Sequence, residues 1–166
     1  DENMTYFYKM MKSPVGRLKL VAGDKGLAAI LWENDDPKRV RISPLEEDEG
    51  HPVLLEAERQ LNDYFAGKLE KFSLELDFVG TEFQKKVWRA LIGIPLGETR
   101  SYGQIARQIG HPKAVRAVAA ANGKNPISII APCHRVIGSD GKLTGFAGGL
   151  EAKAFLLGMA SKKDIR

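Results

Sequence analysis

Cys133 is the only cysteine among 166 residues, and it sits between Pro132 and His134, with Arg135 next, in the run "NPISIIAPCHRVIG". A thiol attacks as its thiolate, and a free thiol pKa of about 8.5 means that cationic or hydrogen-bonding neighbours must favour the charged form near neutral pH. His134 and Arg135 carry such groups. On an extended backbone, however, adjacent side chains point to opposite sides, so His134 reaches the sulfur only through a bent backbone or a bridging water. The residues by themselves leave two readings open: an activated nucleophile, or a small buried hydrophobe. One cysteine excludes an intramolecular disulfide. With His51, His111 and His134 as the only histidines, no Cys/His cluster has zinc spacing, so neither a metal nor a cofactor is expected.

A second constellation lies just before the thiol. The segments "YGQIARQI" (102–109) and "AVRAVAAAN" (114–122) have helical composition and are joined by "GHPK", which suggests a helix-turn-helix. Arg116 stands among Ala114, Ala117, Ala119, Ala120, Ala121 and Gly123. Small side chains of this kind permit tight helix packing, or alternatively the approach of a helix to a nucleic-acid groove with Arg116 reaching into the duplex. Lys113, Lys124, Arg107 and Arg100 could contact phosphates. Charge distribution adds weight to the second reading. Residues 1–80 carry 11 Lys/Arg against 16 Asp/Glu and residues 81–166 carry 14 against 5, so the net charge of +4 conceals an acidic half and a strongly basic half.

The elements that must hold these groups can be read from periodicity. "TYFYKMM" (5–11), "RLKLVA" (17–22) and "LAAILW" (27–32) alternate between turn residues and predict an antiparallel meander. Residues 33–52 are charged and proline-bearing and read as an acidic surface loop. "VLLEAERQLNDYFAG" places Leu54, Ala57, Leu61 and Phe65 on one helical face, with Gly67 as a stop. A new unit begins near Thr81, where "TEFQ" fits a capping box opening a helix with Phe83, Val87, Trp88 and Leu91 inward. "ISII" predicts a buried strand or extended segment. A last helix, "LEAKAFLLGM", turns Ala152, Phe155, Leu156 and Met159 inward. The expectation is an α/β (α+β) chain with an N-terminal sheet-and-helix domain at 1–80 and a mostly helical, winged-helix-like C-terminal domain at 81–166. No stretch has the length of a bilayer span and no secretory signal is recognised, so a cytoplasmic monomer is expected.

Taken together, "TEFQKKVWRAL", "GETRSYGQIA", "GHPKAVRAVAAANGKNPI", "PCHRVIG" and "GGLEAKAFLL", at consistent spacing over about half the chain, resemble the O6-alkylguanine-DNA alkyltransferase family. The first half resembles the family's N-terminal domain more loosely. The resemblance implies single-turnover direct reversal, in which Cys133 takes the alkyl group from O6 of guanine, and also from O4-alkylthymine, in double-stranded DNA. It implies that His134 takes the thiol proton through a water. Tyr102 would crowd the 3′ phosphate and hydrogen-bond the flipped base, and Arg116 would fill the gap left in the stack. Lys113, Ala117, Ala121 and Gly123 would meet DNA beside them, and Asn125, Val136, Phe146, Ala147 and Gly148 would form the substrate pocket. Two departures stand out. The zinc ligands of some members cannot exist with one cysteine, and the final helix, expected as K-x-x-L-L-x-x-E, has Ala160 where a glutamate would hold the far nitrogen of the histidine. Glu151 and Asp164 are the nearest acids, at other spacings. Ala160 motivates an alternative, a non-enzymatic sensor of alkylated DNA, against which Cys133 argues. A cysteine hydrolase would need an oxyanion site that nothing in the sequence suggests.

Overall fold

A computed structural model of the chain describes residues 5–43, 45–138 and 146–164, with side chains through residue 159. Strands β1 (Tyr6–Met11), β2 (Leu18–Gly23) and β3 (Gly26–Trp32) form the predicted meander, with β1 and β3 each antiparallel to β2. Sheet order is β3-β2-β1-β4, and β4 (Leu45–Glu47) is parallel to β1. The sheet is therefore mixed, and the stretch expected to be only a surface loop contributes its edge strand. Two apolar-poor features explain the miss. β4 is three residues long and bears two glutamates, so it has no alternating pattern to detect, and its pairing with β1 is made by backbone groups that sequence patterns do not register.

Helix α1 (Pro52–Phe65) lies on this sheet and buries Leu54, Ala57, Gln60, Leu61 and Tyr64. Gln60 is polar yet buried because its side chain accepts from Ser73 N (2.9 Å) and donates to Ser73 O (3.1 Å), which fixes the chain leaving the helix. Gly67 adopts φ +77°, a left-handed stop that favours glycine.

The second group of elements comprises α2 (Glu82–Ile92), β5 (Arg100–Ser101), α3 (Tyr102–Gln108), α4 (Val115–Gly123), a 3₁₀ turn at Cys133–Arg135, β6 (Val136–Ile137) and α5 (Leu150–Asp164). The capping box opening α2 is formed: Thr81 Oγ1 accepts from Gln84 N (3.1 Å) and Gln84 Oε1 from Thr81 N (3.0 Å). A second box, Ser101 with Gln104, opens α3. Trp88 on α2 donates through Nε1 to Ala121 O (2.8 Å), tying α2 to α4.

Two apolar cores result, and the residues before the thiol join them. Ile127, Ile129 and Ile130 pack with the sheet and α1, whereas Ala131, Cys133 and Val136 pack with α2, α3 and α4. The expected strand at "ISII" is instead a compact buried turn. Ile30 N donates to Pro126 O (2.8 Å), Ala131 N returns to Ile127 O (3.0 Å), and Ile129 takes φ +77°. A β-branched residue in that region is strained, and the surrounding packing holds it there. A short apolar run cannot reveal such a turn, because burial on every side hides the period.

Candidate active site

Cys133 opens the 3₁₀ turn, with Cys133 N donating to Ala131 O (2.7 Å) and Arg135 N to Pro132 O (2.9 Å). The backbone is thus bent at this position. Cys133 is 5% exposed and borders a cavity of about 220 Å³ lined also by Arg39, Asn122, Gly123, Ser128, Phe146 and Ala147. Burial pushes the thiol above its ordinary pKa, while the Asn125 amide that hydrogen-bonds the sulfur and the charges of Arg39 and Lys153 pull it back down.

Asn125 is fully buried and pins the turn from both sides. Its Nδ2 donates to Ala131 O (2.8 Å) and its Oδ1 accepts from Ile127 N (3.1 Å). Asn122 Nδ2 reaches Cys133 O at 3.5 Å. His134 is completely buried, and neither Nδ1 nor Nε2 has a hydrogen-bond partner among the described residues. Burial, then the nearby Arg135 and Lys153 charges, hold its pKa down at about 3, so the ring is neutral at physiological pH. Ala160, expected in place of an orienting acid, has a side chain outside the described residues, as does Asp164; Glu151 is exposed.

Arg116, Ala117, Lys113 and Gly123 are exposed as expected of a nucleic-acid face, and Tyr102 is half-buried at the start of α3. One expected DNA-contact residue, Ala121, does not face outward, and Val136, expected in the substrate pocket, is not among the residues lining the cavity. Ala121 is 3% exposed, held inside by the bond from Trp88, and Val136 is fully buried. Helical phase explains Ala121: its neighbour Val118 is also buried, so this stripe of α4 faces α2 and α3, and small residues there serve packing. Val136 faces the second core; its N–H donates to Cys133 O and its carbonyl oxygen accepts from Lys153 Nζ at 3.2 Å. Among the expected pocket residues, Phe146 and Ala147 line the cavity, Asn125 stands behind the thiol, and Gly148 lies against Trp32. A Cβ on Gly148 would come within 2.7 Å of the indole, so only glycine lets this backbone approach. Residues 143–145 of "LTGFAGG" lie outside the described residues.

Three residues outside the expected site set, Arg39, Trp32 and Lys153, complete the site. Arg39, from the stretch read as a loop, forks onto Asp35 (Nε to Oδ1 2.8 Å, Nη2 to Oδ2 2.7 Å) and donates through Nη1 to Asn125 O (2.8 Å) and Gly123 O (3.3 Å). Trp32 stacks edge-on against Phe146 at 5.3 Å and donates to Ser128 Oγ at 3.1 Å. Lys153, on α5, is 1% exposed. The spacing "DPKR" carries an i, i+4 acid–base pair at Asp35 and Arg39, a signal for the local ion pair but not for its distant partners.

A buried thiol in a small cavity, walled by the C-terminal end of a helix that exposes Arg116, defines a candidate cysteine nucleophile beside a cationic surface. Comparison with known proteins makes this specific. Residues 6–78 match the ribonuclease-like domain and residues 82–161 the DNA binding domain of 6-O-methylguanine DNA methyltransferase. The chain is 53% identical over 151 residues to a methylated-DNA–protein-cysteine methyltransferase of Methanosarcina barkeri, covering 91% of this chain and 94% of that one. A protein of the same name from Mycobacterium tuberculosis is 51% identical over 152 residues, covering 90% and 89%. The crystal structure of Mycobacterium tuberculosis OGT in complex with DNA superimposes with a TM-score of 0.85 at 46% identity, covering 96% of this chain and 94% of that one. The chain belongs to the 6-O-methylguanine DNA methyltransferase family.

Proposed function

We propose that the chain repairs O6-methylguanine in DNA as a methylated-DNA–protein-cysteine methyltransferase, with Cys133 as the acceptor. The observation that carries this reading is the position of Cys133 in a cavity whose wall includes Asn122 and Gly123, the last residues of α4, while Arg116 and Ala117 of the same helix face solvent. One element thus presents a cation to DNA and ends at the thiol. About 220 Å³ accommodates one flat base and no duplex, so the damaged nucleotide must leave the stack, at a cost of about a few kcal/mol. Arg116 occupies the vacancy, and Phe146 offers the base an aromatic face.

The transfer is a displacement at the alkyl carbon. The Cys133 thiolate forms the S–C bond as the C–O6 bond breaks, its electron pair stays on guanine, and the base takes up a proton, for which Tyr102 is the donor in this reading. A thioether has no leaving group to return the sulfur, so each molecule acts once. Residues 81–166 meet DNA in this scheme and residues 1–80 support the thiol through Arg39 and Trp32. Incubation with a duplex containing O6-methylguanine, followed by intact-protein and peptide mass measurement, adds one methyl group at Cys133. A sulfur left unmodified over hours in excess DNA, with binding retained, refutes the transfer and favours a non-enzymatic sensor.

A further inference from the structure

Activation of the thiol needs a positive charge close to it, and the geometry is unusual in where that charge resides. His134 is neighbour to Cys133 in sequence, yet both ring nitrogens lack partners and no acid among the described residues steadies the ring. Arg135 points away, donating to Ile94 O (2.6 Å) and Tyr64 Oη (3.2 Å). Arg39 acts on the sulfur, and ahead of Lys153, but its guanidinium already has an anion of its own in the two-pronged contact with Asp35.

Lys153 differs from all three. It rises from the first turns of α5 into the space beside the 3₁₀ turn, where it is 1% exposed. Its Nζ donates to Val136 O at 3.2 Å, and no carboxylate lies within ion-pair distance of it among the described residues. The titratable groups around it are Cys133, His134 and Arg135 on the turn, with Glu151 of its own helix exposed to water. A buried ammonium without a counter-charge is costly, and the one neighbour that can become an anion is the thiol.

We propose that the buried ammonium of Lys153, rather than the imidazole of His134, supplies the positive charge that holds the Cys133 thiolate, making Lys153 a positioning residue for alkyl transfer. This rests on the reading of Cys133 as acceptor. Burial lowers the lysine's pKa and the thiol's charge raises it, and the thiol's pKa is in turn lowered by Lys153, so each ion favours the other. The thiol proton passes to water when the thiolate forms, guanine takes one proton from Tyr102 as the C–O6 bond breaks, and water returns a proton to Tyr102, so protons and charge balance across the reaction. Lys153 stays protonated throughout and exchanges no atom with the substrate.

The test measures the pH dependence of Cys133 alkylation by iodoacetamide, without DNA, in the folded full chain. Lys153→Met moves the midpoint upward by about one unit or more, which is about tenfold less thiolate at any pH well below the midpoint. Lys153→Arg, which keeps the cation, stays nearer the wild type, and His134→Gln shifts the midpoint less than Lys153→Met. Methyl transfer from duplex by Lys153→Met falls by about tenfold at neutral pH and recovers as the pH is raised. If the substituted chains do not fold, the wild type still decides the matter: the Lys153 ammonium, followed by NMR, titrates at lower pH once Cys133 is methylated. An unchanged thiol midpoint in folded Lys153→Met, a larger shift in His134→Gln, or a Lys153 titration indifferent to methylation overturns the proposal. Because the iodoacetamide readout involves no DNA, a lysine-dependent midpoint with no methyl transfer would sink the proposed function and the role in alkyl transfer with it, leaving only the ion pair of Lys153 and the thiolate.

Discussion

Helices α4 and α5 both border the Cys133 turn, and each carries a cation, but in opposite media. Arg116 on α4 is exposed, while Lys153 on α5 is sealed from water. A charge in water is screened within about 10 Å at ordinary salt, so under the proposed function Arg116 works on contact with DNA and is read out by ionic strength. A charge in the interior is screened far less, so Lys153 acts on a neighbouring ionisation and is read out by pH. On the proposed reading, the same chemical property serves binding in one helix and reactivity in the other. Solvent access decides which.

That contrast can be broken in stages. Cys133→Ser should abolish methyl transfer completely while leaving DNA binding near the wild-type value, measured by mass and by titration with labelled duplex; parallel loss of both would mean that the two regions are not separable. On the sealed side, His134 is neutral in the fold with a pKa of about 3, against 6.5 unfolded. Protons thus bind the unfolded chain preferentially below 6.5, and stability that is complete above 6.5 should drain away as pH falls toward 3, by on the order of a few kcal/mol. Denaturant midpoints between pH 7 and 5, where most carboxylates are still ionised, isolate this contribution, and His134→Gln should flatten the slope. Arg39→Ala leaves Asp35, Asn125 O and Gly123 O without their donor and should cost about 2 kcal/mol of stability by equilibrium unfolding. Arg116→Ala, on the watery side, should leave stability intact and slow duplex repair by about tenfold, or about 1.4 kcal/mol. Its reaction with the free base should suffer less, and the slope of log affinity against log salt should fall by about 1; equal losses on base and duplex would remove Arg116 from the gap-filling role. Smallest is Thr81→Ala, which removes one cap at an exposed helix start and should cost about 1 kcal/mol with no change in transfer rate per folded molecule.

The two sides also differ in how well the sequence announces them. Exposed functional groups sit in repeating local patterns, so the helix pair around "GHPK", the capping box at Thr81 and the small-residue context of Arg116 were all legible. Groups acting from the interior were not. Lys153 is the lysine of the K-x-x-L-L pattern, but periodicity does not distinguish it from a solvent-facing lysine, because its burial depends on α5 packing onto a turn seventeen residues earlier. Arg39 is similar: its bond to Asn125 O spans 86 positions. Ala121 was misplaced for the converse reason, since small residues suit a groove and a helix contact equally well, and only the phase set by Trp88 separates them. The mixed sheet escaped notice because β4 pairs through its backbone, and the buried turn at Ile127–Ile130 because a run buried on every side, Ser128 included, has no face to show.

The placement of residues 125–136 across both cores bears on how the chain melts. Ile30 and Pro126 are joined by a backbone hydrogen bond, the side chains of Trp32 and Ser128 by an indole-to-hydroxyl one, and Arg39 reaches Asn125 and Gly123, so the sheet and the helix group share the segment that carries the thiol. Neither group can come apart without baring isoleucines that belong to the other's lining. Heating should accordingly give one calorimetric peak with equal van't Hoff and measured enthalpies, and the thiol should become reactive toward bulky reagents in step with that peak instead of ahead of it.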